Sequence, residues 1–124
     1  MLEIGIVGKE KIVVTEEKTA VKMGSGDLKV FATPSMIALM EEAAYKSVGT
    51  HISDNESTVG IKVDVKHILA TAVGKEVWCE SKLINVDNRK LTFEVKAYDD
   101  NGLIGEGTHE RFIVDKEKFM NKLS

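Results

Sequence analysis

Only one stretch of this chain is built to form a long helix, and the rest must be arranged around it. TPSMIALMEEAAYKSV, residues 33–48, opens on Thr33 and Pro34, the one proline among 124 residues, and runs into Gly49. A proline in the first helical turn has no N–H to lose, the threonine ahead of it is expected as N-cap, and the glycine is a natural stop. At about 100° per residue, Met36, Ile37, Leu39, Met40, Ala43, Ala44 and Val48 cover roughly half of the helix circumference. So wide an apolar arc suits a helix wrapped by other elements.

Four strand-like segments follow, at 58–69, 75–86, 90–99 and 103–114, divided by turn chemistry such as DNRK and DDNG. Residues 10–23 read as one or two further strands, GSGDLKVFAT after them as a turn-rich loop or lid, and DKEKFMNKL near the end as a last helical turn or two. Leu91, Phe93, Val95 and Ala97 alternate with Thr92, Glu94 and Lys96. In the same way Val59, Ile61, Val63 and Val65 alternate with Gly60, Lys62, Asp64 and Lys66, and His67 falls in with the apolar set. Such alternation predicts an antiparallel sheet with one wet face and one buried face, the latter covered by the single long helix. The expected class is α+β.

With 17 basic and 20 acidic residues, a net charge of -3 and a pI near 5.6, the chain lacks the basic footprint that nucleic-acid binding requires. The apolar pieces of residues 1–13 are broken by Glu3, Gly5, Gly8, Lys9, Glu10 and Lys11, so neither a leader nor a membrane span is expected, and the chain reads as a cytoplasmic single domain over 1–124. Cys79 is the one cysteine, which leaves no intramolecular disulfide and no cysteine metal site; it reads as a packing residue. There is no His/Asp/Glu cluster with ligand spacing, and GSGDLKV is not G-x-G-x-x-G, so no metal or redox cofactor is expected.

The helix carries two adjacent glutamates that are not equivalent. Glu42 projects into the polar sector beside Lys46, an ordinary i,i+4 pair, whereas Glu41 lies at the apolar edge beside Ile37 and Val48. A carboxylate at a core boundary needs a partner, and His67 on the inner sheet face is the candidate. Thr33, Glu41 and His67 together supply a hydroxyl, a carboxylate and an imidazole, the parts of a nucleophile-and-base or water-activating site. His51, in a polar loop, and His109, on a strand whose two faces the sequence does not distinguish, rank behind His67 as the base.

TPSMIALMEEAA (33–44), VGIKVDVKH (59–67) and GEGTHERFIV (105–114) make the chain resemble the hotdog-fold thioesterases, specifically the fluoroacetyl-CoA thioesterase-like branch, over nearly its whole length. The resemblance implies an antiparallel sheet curled around one long helix, a homodimer joined through sheet edges with dimers able to pair further into tetramers, active sites at the dimer interface, and acyl-CoA as substrate. It implies Thr33, Glu41 and His67 as the catalytic set. Gly60 could bring backbone N–H groups close to the thioester oxygen, since it has no side chain in the way. Arg111 is a candidate contact for the acyl group or a CoA phosphate, with a surface salt bridge as its ordinary alternative. The family's namesake closes its acyl pocket with bulky lid residues; here MGSGD is small and polar until Val30 and Phe31, which points to another short or medium acyl group. The competing readings are a non-hydrolytic acyl-CoA or acyl-carrier binding module, a plain dimeric scaffold, and a hotdog dehydratase, whose usual histidine motif is missing.

Overall fold

The computed structural model describes residues 2–124. Five strands, β1 (Val7–Val13), β2 (Glu56–His67), β3 (Glu76–Asp87), β4 (Lys90–Asp99) and β5 (Gly102–Asp115), form one antiparallel sheet in the order β1-β3-β4-β5-β2. The short helix α1 (Ala20–Met23) and the long helix α2 (Thr33–Val48) precede β2, and α3 (Lys116–Asn121) follows β5. No helix among the described residues is long and apolar enough to cross a membrane.

The β3-β4-β5 meander is set by its turns. Asn88 takes φ 57 between β3 and β4, a conformation asparagine tolerates, and Gly102 takes φ 117 where β5 begins. Leu91, Phe93, Val95 and Ala97 are fully buried, as their alternation predicts, and they meet Met36, Leu39, Met40, Ala43 and Ala44 of α2 in the core. Cys79 belongs to the same cluster; burial pushes its thiol up to about 12, so it is an inert packing group.

Three expectations are corrected. Residues 10–23 are strand only as far as Val13: β1 begins earlier, at Val7, a 3-10 turn spans Glu16–Lys18, and α1 follows. The Thr19 hydroxyl accepts from the Lys22 N–H to start that helix, and Gly24, left-handed at φ 74, ends it. Local capping here overrides the β-branched composition. Next, the N-cap of α2 is Ala32 and not Thr33, which stands in the first turn and makes no capping hydrogen bond. Its hydroxyl is therefore available for other work.

The third correction concerns β2. Gly60 pairs with Arg111 and Lys62 with Glu110, so Ile61 is an extra residue in the ladder. A bulge of one residue exchanges the two faces of everything on one side of it. Val59, opposite the half-exposed Phe112, is thereby turned away from the core face, while Thr58 and Gly60 share that face with Val63, Val65 and His67. His67 keeps the inward position its alternation predicts. Gly60 acquires one that alternation denies it.

Candidate active site

α2 and β2 run antiparallel, with Thr33 near His67 at one end and Glu41 near Gly60 further along. The sequence-predicted residues therefore fall into two groups. Eight residues of helix, about 12 Å of rise, separate them.

The first group is Thr33 and His67. The uncapped Thr33 hydroxyl lies 2.8 Å from Nδ1 of His67, close enough to give its proton to the ring. Nε2 of His67 is buried and has no hydrogen-bond partner. The ring stands edge-on to Phe31, with centroids 6.3 Å apart at 78°. Phe31 is itself fixed, because its N–H donates to the Thr71 carbonyl at 2.9 Å and the neighbouring Val30 bridges to Ala72. Burial holds the pKa of His67 below the ordinary imidazole value, with the Leu69 backbone partly opposing, so the ring is neutral at neutral pH and able to accept a proton. Beside the pair opens a cleft of about 240 Å³, lined by Ala20, Val30, Phe31, Ile68, Leu69 and others.

The second group surrounds Glu41, whose expected partner in the same chain is corrected: the carboxylate does not meet His67. Its Oε2 lies 3.6 Å from Nη1 of Arg111. Arg111, buried rather than on the surface, donates from Nε to Thr58 Oγ1 at 2.7 Å, from Nη2 to the Thr58 carbonyl at 2.9 Å, and from Nη1 to Nε2 of His109 at 3.1 Å. The Tyr45 ring centroid is 5.8 Å from its Cζ. A buried guanidinium requires a nearby anion, and Glu41 is the one supplied. Burial lowers the arginine's pKa and Glu41 opposes that shift, which leaves it cationic. Glu42, in contrast, accepts from Lys46 at 2.7 Å in the ordinary surface pair.

Gly60 is where the bulge matters. A Cβ added there would meet Glu41 Oε2 at 2.7 Å, and His109 Cε1 and Arg111 Nη1 at 3.3 and 3.4 Å. The carboxylate occupies the space that a side chain would fill. Gly60→Ala should therefore displace Glu41, lowering Tm because the buried guanidinium loses its anion and lowering kcat by about tenfold or more. A kcat equal to wild type would show that the close approach has no bearing on turnover.

Arg111→Ala removes a buried cation together with three hydrogen bonds, and should cost about 3 kcal/mol in denaturant unfolding. A loss under about 1 kcal/mol, the scale of a surface ion pair, would contradict its structural importance. Acid should weaken the fold through histidine. Burial lowers the pKa of both His67 and His109 in the folded chain, so the unfolded chain binds protons first. Stability from these rings is complete above the ordinary imidazole value of about 6.5 and is lost as pH falls through the folded values. The urea midpoint should drop as pH falls below about 6.5. In a His67→Phe, His109→Phe double variant that part of the drop should vanish.

His51 lies in the 3-10 turn Gly49–His51 that continues α2. The association of His109 with Arg111 was missed in the sequence. Its signal was the alternation of His109, Arg111 and Ile113 against Glu110 and Phe112 along β5, which the structure resolves as inward and outward rows.

The geometry can be set beside known proteins. The family described as "Fluoroacetyl-CoA-specific thioesterase" matches residues 14–117. The chain is 37% identical to the fluoroacetyl-CoA thioesterase of Streptantibioticus cattleyicolor over 95 residues, 77% of this chain and 68% of that protein. A solved structure of the fluoroacetyl-CoA thioesterase FlK superposes with a TM-score of 0.94 at 31% identity, covering 99% of this chain and 96% of that one. A thioesterase superfamily member from Thermus thermophilus gives 0.91 at 26% identity, covering 99% and 91%. A hot-dog-like protein from Thermanaerovibrio acidaminovorans, at 16% identity, with 98% and 90% covered and a TM-score of 0.89, shares the fold. The sheet curled around one long helix is thus the hotdog fold, and the chain belongs to the fluoroacetyl-CoA-specific thioesterase family.

Proposed function

We propose that this chain hydrolyses a small acyl-CoA thioester to the free acid and CoA, in sites that two copies of the chain build together. The observation that carries the reading is the Thr33–His67 contact at 2.8 Å, a hydroxyl on a neutral, half-buried imidazole at the edge of a cleft of mixed polarity. In this reading the acyl group lies in the cleft, and the attacking oxygen passes its proton to Nδ1 of His67 through the Thr33 hydroxyl, which donates one proton to the ring as it accepts another. The ring then delivers that proton to the departing thiolate, while Thr33 holds the ring and the reacting oxygen in register.

A single chain leaves Glu41 out of reach, and pairing at the sheet edge would bring it back. β2 is an edge strand, and Ile61 and Val63 on it are 50% and 38% exposed, an apolar rim on an open ladder. Two such edges aligned antiparallel about a two-fold axis at Asp64, with Ile61 counted as the extra residue, set His67 of one copy opposite Gly60 of the other. The same symmetry repeats the arrangement at the second site. Glu41, seated over Gly60, then faces the Thr33–His67 pair of the other copy, and the dimer carries two complete sets.

Similarity to the fluoroacetyl-CoA thioesterases supports the substrate class; one solved structure of a FlK mutant is in complex with fluoroacetate and CoA. The stretch Gly24, Ser25, Gly26 and Asp27 beside the cleft is small, polar and exposed, which favours a short or medium acyl group over a tightly enclosed one. Release of free thiol from a panel of acyl-CoAs, short to long and halogenated, tests the reading. Turnover of at least one member is expected; binding without turnover across the panel would contradict it.

A further inference from the structure

We propose that His109 is a positioning residue for the reaction: it fixes the Arg111 guanidinium, and through it the Glu41 carboxylate. The proposal rests on the reading above, in which Glu41 serves the active site.

The hydrogen bonds define the ring's state without reference to its titration. Nδ1 lies 2.8 Å from the Lys62 carbonyl, which can only accept, so Nδ1 carries a proton. Nε2 lies 3.1 Å from Nη1 of Arg111, which can only donate, so Nε2 carries none. The contact of 4.0 Å between Nε2 and Glu41 is therefore not an ion pair; the arginine stands between them in function. His109 is 1% exposed, and its ring lies against Phe93 from β4, centroids 6.3 Å apart at 29°. The charged groups acting on it are Arg111 and Glu110 of its own strand and Glu41 of α2, with only the Lys62 carbonyl contributed by β2. An imidazolium here would turn an N–H toward the guanidinium. Burial and Arg111 both disfavour that form.

The consequence is directional. Arg111 is anchored at Nε and Nη2 by Thr58, and at Nη1 by His109. With three corners held, the remaining Nη1 hydrogen faces Glu41 at 3.6 Å, and the carboxylate is kept over Gly60. The anchor for His109 is the carbonyl one residue beyond the β2 bulge, so the same irregularity that opens space for Glu41 also orients the ring that aims its counter-ion.

The test uses substitutions that separate the two ring nitrogens. His109→Asn keeps a donor near the Lys62 carbonyl and removes the acceptor for Arg111; kcat for thioester hydrolysis should fall about tenfold to a hundredfold with KM within about twofold. His109→Gln, whose side-chain carbonyl reaches the Nε2 position, should recover most of that loss. In a Glu41→Gln background the cost of His109→Asn should shrink below about twofold, because its route of action is already gone. An equal loss in both backgrounds, or full activity in His109→Asn, overturns the positioning role. An unimpaired Glu41→Gln single variant instead overturns the site reading beneath it. Where His109→Asn fails to fold, nitrogen NMR of the wild-type ring decides: Nδ1 protonated with Nε2 bare is expected, and the opposite tautomer or an imidazolium at neutral pH refutes the proposal.

Discussion

His67→Ala is expected to lower kcat by about a hundredfold or more while leaving the unfolding midpoint nearly unchanged, since positioned acid–base groups contribute on that scale. The separation of the two effects follows from the ring's surroundings. His67 contributes one hydrogen bond, to the exposed Thr33 hydroxyl, and its Nε2 is buried without a partner, so little folding energy depends on it. Removing a buried polar atom that has no partner removes a cost along with the packing. In the remaining pH profile of the wild-type enzyme, kcat/KM should decline on the acid side below the ordinary imidazole value of about 6.5, because burial lowers the pKa of this ring and the active form is the neutral one. A variant that keeps wild-type turnover would remove His67 from the mechanism. One that loses activity and cooperative unfolding together would assign it to the fold instead.

Much of this architecture was legible in the sequence because the periodicities were clean. The β4 row of Leu91, Phe93, Val95 and Ala97 is inward and fully buried as its alternation predicts, and α2 ends at Gly49 as expected and begins one residue earlier than Pro34 implied. The misreadings share one physical origin, a local hydrogen bond or an extra residue that pattern alone does not show. Thr19 caps α1 where β-branched composition suggested a strand, and Thr33, cast as a cap, directs its hydroxyl to His67. Ile61 adds one residue to β2, turning Val59 away from the core face and Gly60 toward it.

The candidate residues could be named from the sequence, but their geometry could not. The helical wheel distinguishes Glu41 from Glu42, and the structure bears this out, with Glu42 on Lys46 and Glu41 against a buried arginine. What the wheel could not give was the distance along the axis. Thr33 and Glu41 project from one helix about two turns apart, so a single side chain on β2 cannot serve both. Only the strand order, with β2 at the edge, suggests how a second copy could close the gap.

Glu41→Gln is the second large expected effect. The substitution keeps the size of the side chain, removes the negative charge beside Arg111 and should reduce turnover by about a hundredfold, comparably to His67→Ala. Alone, that loss would not say which Thr33–His67 pair the carboxylate serves. The combination of the two variants does. If each site takes Glu41 from one copy and Thr33 with His67 from the other, a mixed dimer of Glu41→Gln and His67→Ala chains holds one site with both lesions and one with neither. After unfolding and refolding equal amounts of the two inactive variants together, random pairing should return about a quarter of wild-type activity. If each site were built within one chain, every site in the mixture would carry a lesion. A mixture no more active than its two components would contradict the shared site.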